Sequence, residues 1–237
     1  MTRDATWAPT WAVVPVKTLD AAKRRLAGAL DPAGRRGLMR AMLADVLDTL
    51  AAAPGVDGVA VISRDPRVAR QARAQGVRVL PEPGVGLNAA VAEAARVLAG
   101  EGCATMLVVA ADVPLARAEE IAEILGARRA APALTLVPDR HRIGTNALAC
   151  TPPAVCTPGF GGRSLERHLE TAHRAGIPVS VLELPGLGLD LDTPDDLAVL
   201  RQRPGTTRTQ AFLRDLPEPV APTGLTRVAE PVVGGEG

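Results

Sequence analysis

The chain has 237 residues, a formal net charge of +1 and 22% charged residues, so overall electrostatics favours neither nucleic acid nor an anionic membrane as a partner. Its two Trp, two Phe and no Tyr argue against the stacking platforms that bind single-stranded nucleic acid. No apolar run reaches transmembrane length, and residues 1–9 lack the apolar core of a signal peptide, so we expect a cytoplasmic protein.

A chain of this length can bury one sizeable core, so we predict a single domain over residues 1–203. The remainder, residues 204–237, is an extension rich in Pro, Gly and Thr, which we expect to drape over the domain or to be disordered. Cys103, Cys150 and Cys156 form no Cys-x-x-Cys pair, so we interpret them as reduced structural thiols.

The first apolar run, Trp11 to Val16, predicts an opening strand. Four basic residues follow it closely, and they are Lys17, Lys23, Arg24 and Arg25. A basic loop after a first strand can hold a triphosphate, because charge-assisted bonds to phosphate oxygens are strong. A solvated basic face explains the same residues equally well. The segment contains neither a P-loop pattern nor a Gly-x-Gly-x-x-Gly dinucleotide fingerprint.

Helices and strands then alternate with short connections. Asp31 is a predicted N-cap, with Pro32 at the first helical position, and it starts a long helix through Leu50. The pattern continues with a strand at Val59–Ile62, a helix at Asp65–Gln75 and a strand at Val77–Leu80. Strands that alternate with helices in this way predict a right-handed parallel sheet.

A loop rich in glycine and proline follows, from Pro81 to Asn88. We interpret Asn88 as the N-cap of an alanine-rich helix, Ala89 to Leu98. A glycine-rich loop that ends on a helix N-terminus also lets backbone groups approach a ligand closely. On this second interpretation, Gly86, Leu87 and Asn88 lie beside a base or a ribose.

The apolar run from Met106 to Ala110 is too short for a helix and does not alternate, which is typical of a strand buried on both faces of a parallel sheet. Asp112 follows, and Pro114 forces a turn before the next helical pattern. Asp112 therefore lies just past the carboxyl end of a central strand, where open α/β sheets bind their ligands. An N-cap role explains a lone aspartate too, but the small Ala111 beside it leaves room for a ligand, so we favour ligand binding.

The second half of the chain continues the alternation, with strands expected at Leu134–Val137 and Pro178–Leu184 and an apolar stretch at Ala147–Cys150. Before the predicted helix Leu165–Ala175, the segment Phe160–Ser164 reads Phe-Gly-Gly-Arg-Ser. Its free backbone N–H groups, the Arg163 guanidinium and the Ser164 hydroxyl lie at the positive end of that helix and predict an anion site. His168 shares the apolar side of the helix, so we interpret it as a core residue.

Three aspartates complete the candidate chemistry. Alternate residues of an extended segment share a face, so Asp190 and Asp192 can point the same way while Leu191 is buried. Two carboxylates together are costly unless they share a cation. With Asp112 they provide three hard oxygen donors, suited to a Mg²⁺ ion that bridges phosphates. Thr193 then caps the next helix.

These segments together resemble the 2-phospho-L-lactate guanylyltransferase family, CofC/FbiD, of coenzyme F420 biosynthesis. The matching residues are Pro15–Lys17 with Ala22–Leu26, Gly86–Asn88, Ala111–Leu115, Gly144–Leu148, Phe160–Ser164 with His168, and Asp190–Pro194. The resemblance runs in order from Trp11 to Leu200. In this family the Lys17–Arg25 segment replaces the glycine-rich first loop of related sugar-nucleotide and molybdopterin guanylyltransferases.

The resemblance implies a Rossmann-like α/β nucleotidyltransferase fold of the GT-A type, with a mostly parallel central sheet flanked by helices. It implies an enzyme that transfers GMP from GTP to a three-carbon phosphoacid, phosphoenolpyruvate or 2-phospho-L-lactate, and releases pyrophosphate. Abundant Ala, Arg and Gly indicate a GC-rich genome, as in actinobacteria. The actinobacterial members of this family resemble phosphoenolpyruvate users, so we expect phosphoenolpyruvate as the acceptor. The expected protein is a monomer or a homodimer that binds neither nucleic acid nor a membrane.

The resemblance also distributes roles among the candidate residues. The implied catalytic residues are Asp112, Asp190, Asp192 and Lys17, of which the three aspartates bind Mg²⁺. The implied GTP-binding residues are Lys17, Lys23, Arg25, Gly86, Leu87 and Asn88. The implied phosphoacid-binding residues are Thr145, Gly161, Arg163 and Ser164.

Other functions fit parts of the same pattern. A different nucleotidyltransferase of this fold would use molybdopterin or a sugar phosphate as acceptor. A glycosyltransferase would use Asp190–Asp192 as an Asp-x-Asp motif, although this motif comes late in the chain rather than after a central strand. A non-catalytic nucleotide-binding protein would need only the binding residues. Pyrophosphate release from GTP in the presence of small phosphoacids separates these alternatives.

Overall fold

The computed structural model describes residues 9–82, 86–128 and 130–216. Its strands are β1 (Thr10–Pro15), β2 (Gly58–Ile62), β3 (Arg78–Leu80), β4 (Thr105–Val109), β5 (Ala133–Pro138), β6 (Thr145–Thr151) and β7 (Val179–Val181). Its helices are α1 (Pro32–Ala52), α2 (Pro66–Ala74), α3 (Leu87–Gly100), α4 (Ala118–Gly126), α5 (Ser164–Arg174), α6 (Pro194–Gln202) and α7 (Arg208–Asp215). Two short 3₁₀ turns, Leu19–Ala21 and Arg24–Leu26, lie between β1 and α1.

The strands form one seven-stranded sheet in the order β3-β2-β1-β4-β6-β5-β7. β1 pairs in parallel with β2 and β4, β2 with β3, and β5 with β7, whereas β6 is antiparallel to both of its neighbours. The predicted mostly parallel sheet is confirmed. Because β6 runs the other way, its first residues, Thr145 and Asn146, lie beside the carboxyl end of β4. We call this edge of the sheet, where β1 to β4 end and β6 begins, the carboxyl edge.

Helices cover the sheet on both faces, and the side chains of β4 alternate between the two resulting cores. Leu107 and Val109 belong to the core that also contains apolar residues of α1, α2, α4, α6 and α7. Met106 and Val108 belong to the opposite core, with apolar residues of α3 and α5. All five residues of β4 are buried, which confirms the predicted two-sided burial of this strand.

The helix starts confirm several sequence predictions. Asp31 accepts a hydrogen bond from the Gly34 N–H at 2.6 Å, and Asp65 accepts one from the Arg67 N–H at 2.9 Å. Thr193 and the third residue of α6 form the expected capping box. These caps satisfy backbone donors that have no partner within the helix, and they fix where α1, α2 and α6 begin.

Asn88 is not the N-cap of α3, so that prediction is wrong. The helix begins two residues earlier than predicted, at Leu87, and Gly86 is its N-cap with a φ of +100°. Glycine adopts this left-handed backbone conformation without the steric cost that a Cβ atom would bring. The Asn88 side chain is therefore available for another partner. Strand β7 is also shorter than predicted and covers only Val179–Val181.

The first part of the C-terminal extension contains a helix that the sequence analysis did not predict. Helix α7 packs against α1, where the Asp45 carboxylate accepts hydrogen bonds from the N–H groups of Arg208 and Thr209, each at 2.8 Å. The Phe212 ring lies so close to Gly37 that a Cβ atom there would be 2.6 Å away. The rest of the extension lies outside the described residues. Among the described helices, none has the length and apolar character needed to cross a membrane.

Candidate active site

Three segments meet at the carboxyl edge of the sheet. The Ala110 N–H donates to the carbonyl of Asn146 at 2.8 Å, which joins the end of β4 to the start of β6. The Leu191 N–H donates to the carbonyl of Asp112 at 3.0 Å, which brings the 190–192 segment to the same place. Leu191 is completely buried, as predicted, and anchors that segment. The three predicted aspartates therefore converge.

Lys23 lies inside this acidic cluster. Its ammonium group forms ion pairs with Asp112 and Asp192, with 2.7 Å between Nζ and Oδ1 of Asp192. The Lys23 side chain is only 4% exposed. Burial by itself would lower the pKa of Lys23, but the two carboxylates outweigh it and the pKa is raised. A charged lysine therefore stands between Asp112 and Asp192, and Arg25 adds a looser contact of 3.8 Å to Asp192.

The carboxylates differ in how well they are compensated. Burial raises the pKa of Asp190 to about 6, and the negative charge of Asp112 adds to the effect. The Asn146 side-chain amide donates to Oδ1 of Asp190 at 3.1 Å and opposes the shift. Burial also acts to raise the pKa of Asp192, but attraction to Lys23 outweighs it and the pKa is lowered. Asp190 is therefore the carboxylate with unrelieved negative charge.

The donor chemistry of this cluster fits a hard divalent cation, which binds carboxylate oxygens. Within residues 9–82, 86–128 and 130–216, however, no three acidic, His or Cys side chains already enclose a position for a metal ion. Lys23 explains this, because its ammonium supplies the positive charge between Asp112 and Asp192. These carboxylates could receive a divalent cation only if the Lys23 ammonium moved away from them.

The segments predicted to bind the phosphoacid, which we call the acceptor side, meet around the buried His168, whose predicted place in the core is confirmed. The Gly159 N–H donates to Nε2 of His168 at 2.9 Å, so the proton lies on Nδ1 and is shared with the Thr145 hydroxyl at 3.1 Å. Burial and the nearby charge of Arg167 lower the pKa of His168 to about 4. The neutral ring thus connects α5 to Thr145 and to the loop before Ser164.

Asn88 holds the same loop from the opposite side. Its side-chain carbonyl accepts from the Phe160 N–H at 2.8 Å, and its amide donates to the Phe160 carbonyl at 3.1 Å. The Phe160 ring also meets His168 edge to face, with 5.0 Å between ring centroids. Phe160 is therefore restrained from α3 and α5 together.

At the predicted anion site, Ser164 begins α5 as expected, but the Arg163 guanidinium is already paired with another side chain. Ser164 is buried at the first position of the helix, and Gly161 has a φ of +112° in the loop before it. Arg163 has a left-handed backbone and pairs with Glu166, with 2.6 Å between Nε and Oε2. Arg163 must leave this exposed pair before it can bind a substrate.

The segment predicted to bind the nucleotide, which we call the nucleotide side, lies where β1, β2 and β3 end. Lys17 is exposed directly after β1, and Arg25 is 76% exposed. Leu87 and Lys17 line the same narrow groove. The basic segment is thus divided, because Lys17 and Arg25 face solvent while Lys23 is buried among the carboxylates.

Sequence reasoning assigned no role to Asn146 or Asp139, which organise the site. Besides Asp190, the Asn146 amide bonds to the carbonyl of Leu187 at 2.9 Å. Asp139 accepts from the N–H groups of Ile143 and Gly144, at 3.0 and 2.7 Å, and so shapes the turn before β6. The only available signal was position, since Asn146 lies within the Gly144–Leu148 segment and Asp139 lies five residues before it.

Solved structures share this architecture. A protein described as a nucleotide-diphospho-sugar transferase from Desulfovibrio desulfuricans is similar with a TM-score of 0.73 and 18% identity, over 88% of this chain and 95% of that one. A nucleotidyl transferase from Methanothermobacter is similar with a TM-score of 0.59 and 18% identity, over 87% and 98%. The fold is therefore that of the nucleotidyltransferases.

Sequence comparison identifies the family. The family described as guanylyl transferase CofC like matches residues 10–232. Phosphoenolpyruvate guanylyltransferases from Rubrobacter xylanophilus and Sphaerobacter thermophilus are each 43% identical, over 82% and 81% of this chain and 95% and 92% of their own lengths. The corresponding protein from Conexibacter woesei is 38% identical over 87% of this chain and 96% of its own. The chain belongs to the CofC-like guanylyl transferase family and is a guanylyltransferase, as the sequence motifs predicted.

Proposed function

We propose that this enzyme transfers GMP from GTP to the phosphate of phosphoenolpyruvate, with release of pyrophosphate, in coenzyme F420 biosynthesis. The observation that carries the proposal is the position of the acidic cluster. Asp112 follows β4, which lies in the sheet between β1, the strand before Lys17, and β6, the strand that begins at Thr145. A reaction between two anionic substrates needs this arrangement, with a charge-neutralising centre between two anion sites.

In the proposed reaction, a phosphate oxygen of the acid attacks the α-phosphorus of GTP. A new P–O–P bond forms, the bond between the α- and β-phosphates breaks, and pyrophosphate leaves. No general base is required, because a phosphate monoester with a second pKa of about 6 is mostly a dianion at neutral pH. The chain therefore acts by positioning its substrates and by neutralising their charge.

Each residue group has its own part in this proposal. Lys17, Lys23 and Arg25 bind the triphosphate, while Gly86, Leu87 and the backbone of Asn88 lie at the nucleoside, because the Asn88 side chain already bonds to Phe160. The Thr145 hydroxyl, the Gly161 backbone, Arg163 and Ser164 orient the phosphoacid. Asp112, Asp190 and Asp192 hold Mg²⁺, which when bound neutralises charge on the reacting phosphates. Turning Lys23 from the carboxylates to the phosphates would free the aspartates for that ion.

The acceptor is supported by the names of the relatives, which are phosphoenolpyruvate guanylyltransferases. 2-Phospho-L-lactate is the second candidate, because it carries the same carboxylate and phosphate. The two acids differ at C3, a methylene against a methyl group, and such a shape difference is worth only about 1–3 kcal/mol in an apolar pocket. GTP and the phosphoacid are intracellular metabolites, so we infer a cytoplasmic enzyme. We propose that it works as a monomer or a homodimer.

Pyrophosphate release tests the proposal directly. The purified protein is mixed with GTP, Mg²⁺ and one acid at a time: phosphoenolpyruvate, 2-phospho-L-lactate or 3-phosphoglycerate, with a blank that lacks the acid. We expect the largest kcat/KM with phosphoenolpyruvate. A value for 2-phospho-L-lactate tenfold higher, about 1.4 kcal/mol in the barrier, would reverse the choice of acceptor. Release that does not depend on any acid would contradict the transfer reaction.

A further inference from the structure

A narrow groove opens beside Lys17 at the carboxyl ends of β1, β2 and β3. Its lining residues are Pro15, Val16, Lys17, Ile62, Glu82, Leu87 and Ala90. Most of these side chains are apolar, which suits the faces of a flat base. The cavity volume of the groove is only about 10 Å³. A base would therefore lie along its open side, with one edge towards Glu82.

Glu82 is a carboxylate with little compensation in the described part of the chain. Its side chain is only 12% exposed, yet no hydrogen bond to its carboxylate is present among the described residues. Its one ion-pair partner there is Arg64, at the outer limit of 4.0 Å, and that guanidinium is 62% exposed. A largely buried carboxylate normally has hydrogen-bond donors around it, because burial without them is costly. The position of Glu82 in the groove points to donors that arrive with a ligand.

Guanine supplies the matching donors. Its Watson–Crick edge carries the N1–H and the N2 amino group side by side, and an ionised carboxylate accepts two such bonds with its two oxygens. Adenine has an acceptor at N1 and no amino group at C2, so it would leave the carboxylate unpaired and repelled. A site built to bond a polar group discriminates strongly against an analogue that lacks it.

We propose that Glu82 is the guanine-reading residue of this enzyme and accepts both N1–H and N2–H of the GTP base. Leu87 and Pro15 then flank the faces of the base, and Lys17 lies towards the phosphates. This inference rests on the proposed function, because it takes GTP to be the nucleotide donor. It adds the residue that selects GTP among nucleoside triphosphates.

The experiment compares Glu82→Gln with the unmodified protein and uses GTP, ITP and XTP as probes. Inosine lacks the N2 amino group, and xanthine has a carbonyl at C2, which the amide of a glutamine can donate to. We expect the unmodified protein to prefer GTP over ITP by about tenfold and over XTP by more. In Glu82→Gln, kcat/KM for GTP should fall by about 10- to 100-fold while that for XTP rises. The KM for phosphoenolpyruvate should not change.

Controls separate base reading from a structural role. Arg64→Ala removes the distant ion pair and should keep the GTP preference unchanged. Glu82→Asp keeps the carboxylate on a shorter side chain and should keep the preference for GTP over XTP with weaker binding, which preserves the test if the Gln variant does not fold. Equilibrium binding of the same nucleotides provides a readout that does not depend on turnover.

The outcomes are distinct. An unchanged ratio of GTP to XTP in Glu82→Gln, in turnover and in binding, would overturn the role of Glu82 and leave guanylyl transfer intact. Loss of the ratio in that variant alone would support it. If the unmodified protein released no pyrophosphate with GTP and any of the acids, the proposed function would fail, whereas the binding ratios would still decide the role of Glu82.

Discussion

The nucleotide side and the acceptor side of the site are held in different ways. On the acceptor side, His168 and Asn88 form four hydrogen bonds with Thr145, Gly159 and Phe160, all between 2.8 and 3.1 Å. On the nucleotide side, Lys17 is exposed and Arg25 has only a loose contact of 3.8 Å. The acceptor side is shaped by hydrogen-bonded backbone and neutral side chains, and the nucleotide side by exposed charges.

This difference indicates how the two substrates are treated. A small phosphoacid offers few contacts, so its site must be organised before binding if it is to be oriented. A triphosphate is long and highly charged, and flexible cations can follow it. The acidic cluster lies between these two sides. Within it, the Lys23 ammonium pairs with Asp112 and Asp192. The following predictions, from the largest effect to the smallest, test this division.

The largest effect is expected at the carboxylates, where two similar substitutions should diverge in stability. Asp112→Asn and Asp190→Asn should each lower kcat by at least about 100-fold, because both remove charge from the reacting centre. Asp190→Asn should keep or raise thermal stability, by up to about 1–3 kcal/mol at pH 7, because the raised pKa of Asp190 means that its ionised form is disfavoured in the fold. Asp112→Asn should lower it, because Lys23 loses a partner.

Pyrophosphate release and thermal unfolding measure these two properties on the same samples. If either variant keeps most of its activity, the metal-binding role is contradicted. A gain of stability in Asp112→Asn would show that its pair with Lys23 does not stabilise the fold.

Lys23→Met should destabilise the protein by about 2–4 kcal/mol without a divalent cation, because it leaves Asp112 and Asp192 without their buried partner. Added Mg²⁺ should recover more stability in this variant than in the unmodified protein, since the carboxylates no longer bind Lys23. Thermal unfolding with and without Mg²⁺ measures both effects. Arg25→Met is the matched control and should change stability by less than about 0.5 kcal/mol, because Arg25 is exposed. Equal Mg²⁺ effects in all three proteins would rule out exchange between Lys23 and the cation.

The acceptor side should be sensitive to pH through His168. Its pKa is lowered to about 4 in the fold, so between pH 6.5 and 4 the unfolded chain binds a proton that the folded chain does not. The contribution of His168 to stability is therefore complete above pH 6.5 and declines as the pH falls to 4, by about 2 kcal/mol between pH 7 and 5. His168→Gln should lose this component of the pH dependence. Urea unfolding of the two proteins at pH 7 and at pH 5 measures this effect. If their difference in free energy of unfolding is the same at both pH values, the prediction is contradicted.

The smallest effects should separate the two substrates. Lys17→Ala should raise the KM for GTP several-fold, to about tenfold, with less effect on phosphoenolpyruvate, because Lys17 lies at the end of β1 on the nucleotide side. Ser164→Ala should do the reverse, because Ser164 begins α5. Initial-rate kinetics with each substrate varied in turn provide the comparison. Equal changes in both KM values would mean that the two regions form one site.

Much of the architecture follows from local sequence. The alternation of apolar strands and helical stripes predicted the α/β sheet, because each periodicity reflects which side chains one element buries. Asp31 and Thr193 were predicted as caps, since a short oxygen-bearing side chain bonds to N–H groups within three residues of itself. The convergence of Asp112 with Asp190 was expected because strand ends meet at one edge of a sheet.

Tertiary structure decided the contacts that sequence neighbours cannot report. Lys23 lies 89 positions from Asp112 and 169 from Asp192, and Asn88 lies 72 positions from Phe160. Helix α7 was missed although Thr207 and Gln210 form a capping box at its start, whereas its contact with the Asp45 carboxylate of α1 is a tertiary one. Local patterns determine which groups an element presents, whereas the packing of the sheet decides which groups meet. The fold class and the candidate residues can thus be read from local patterns. How those residues pair depends on two features of the packed fold: the antiparallel insertion of β6 and the folding of the basic segment onto the carboxylates.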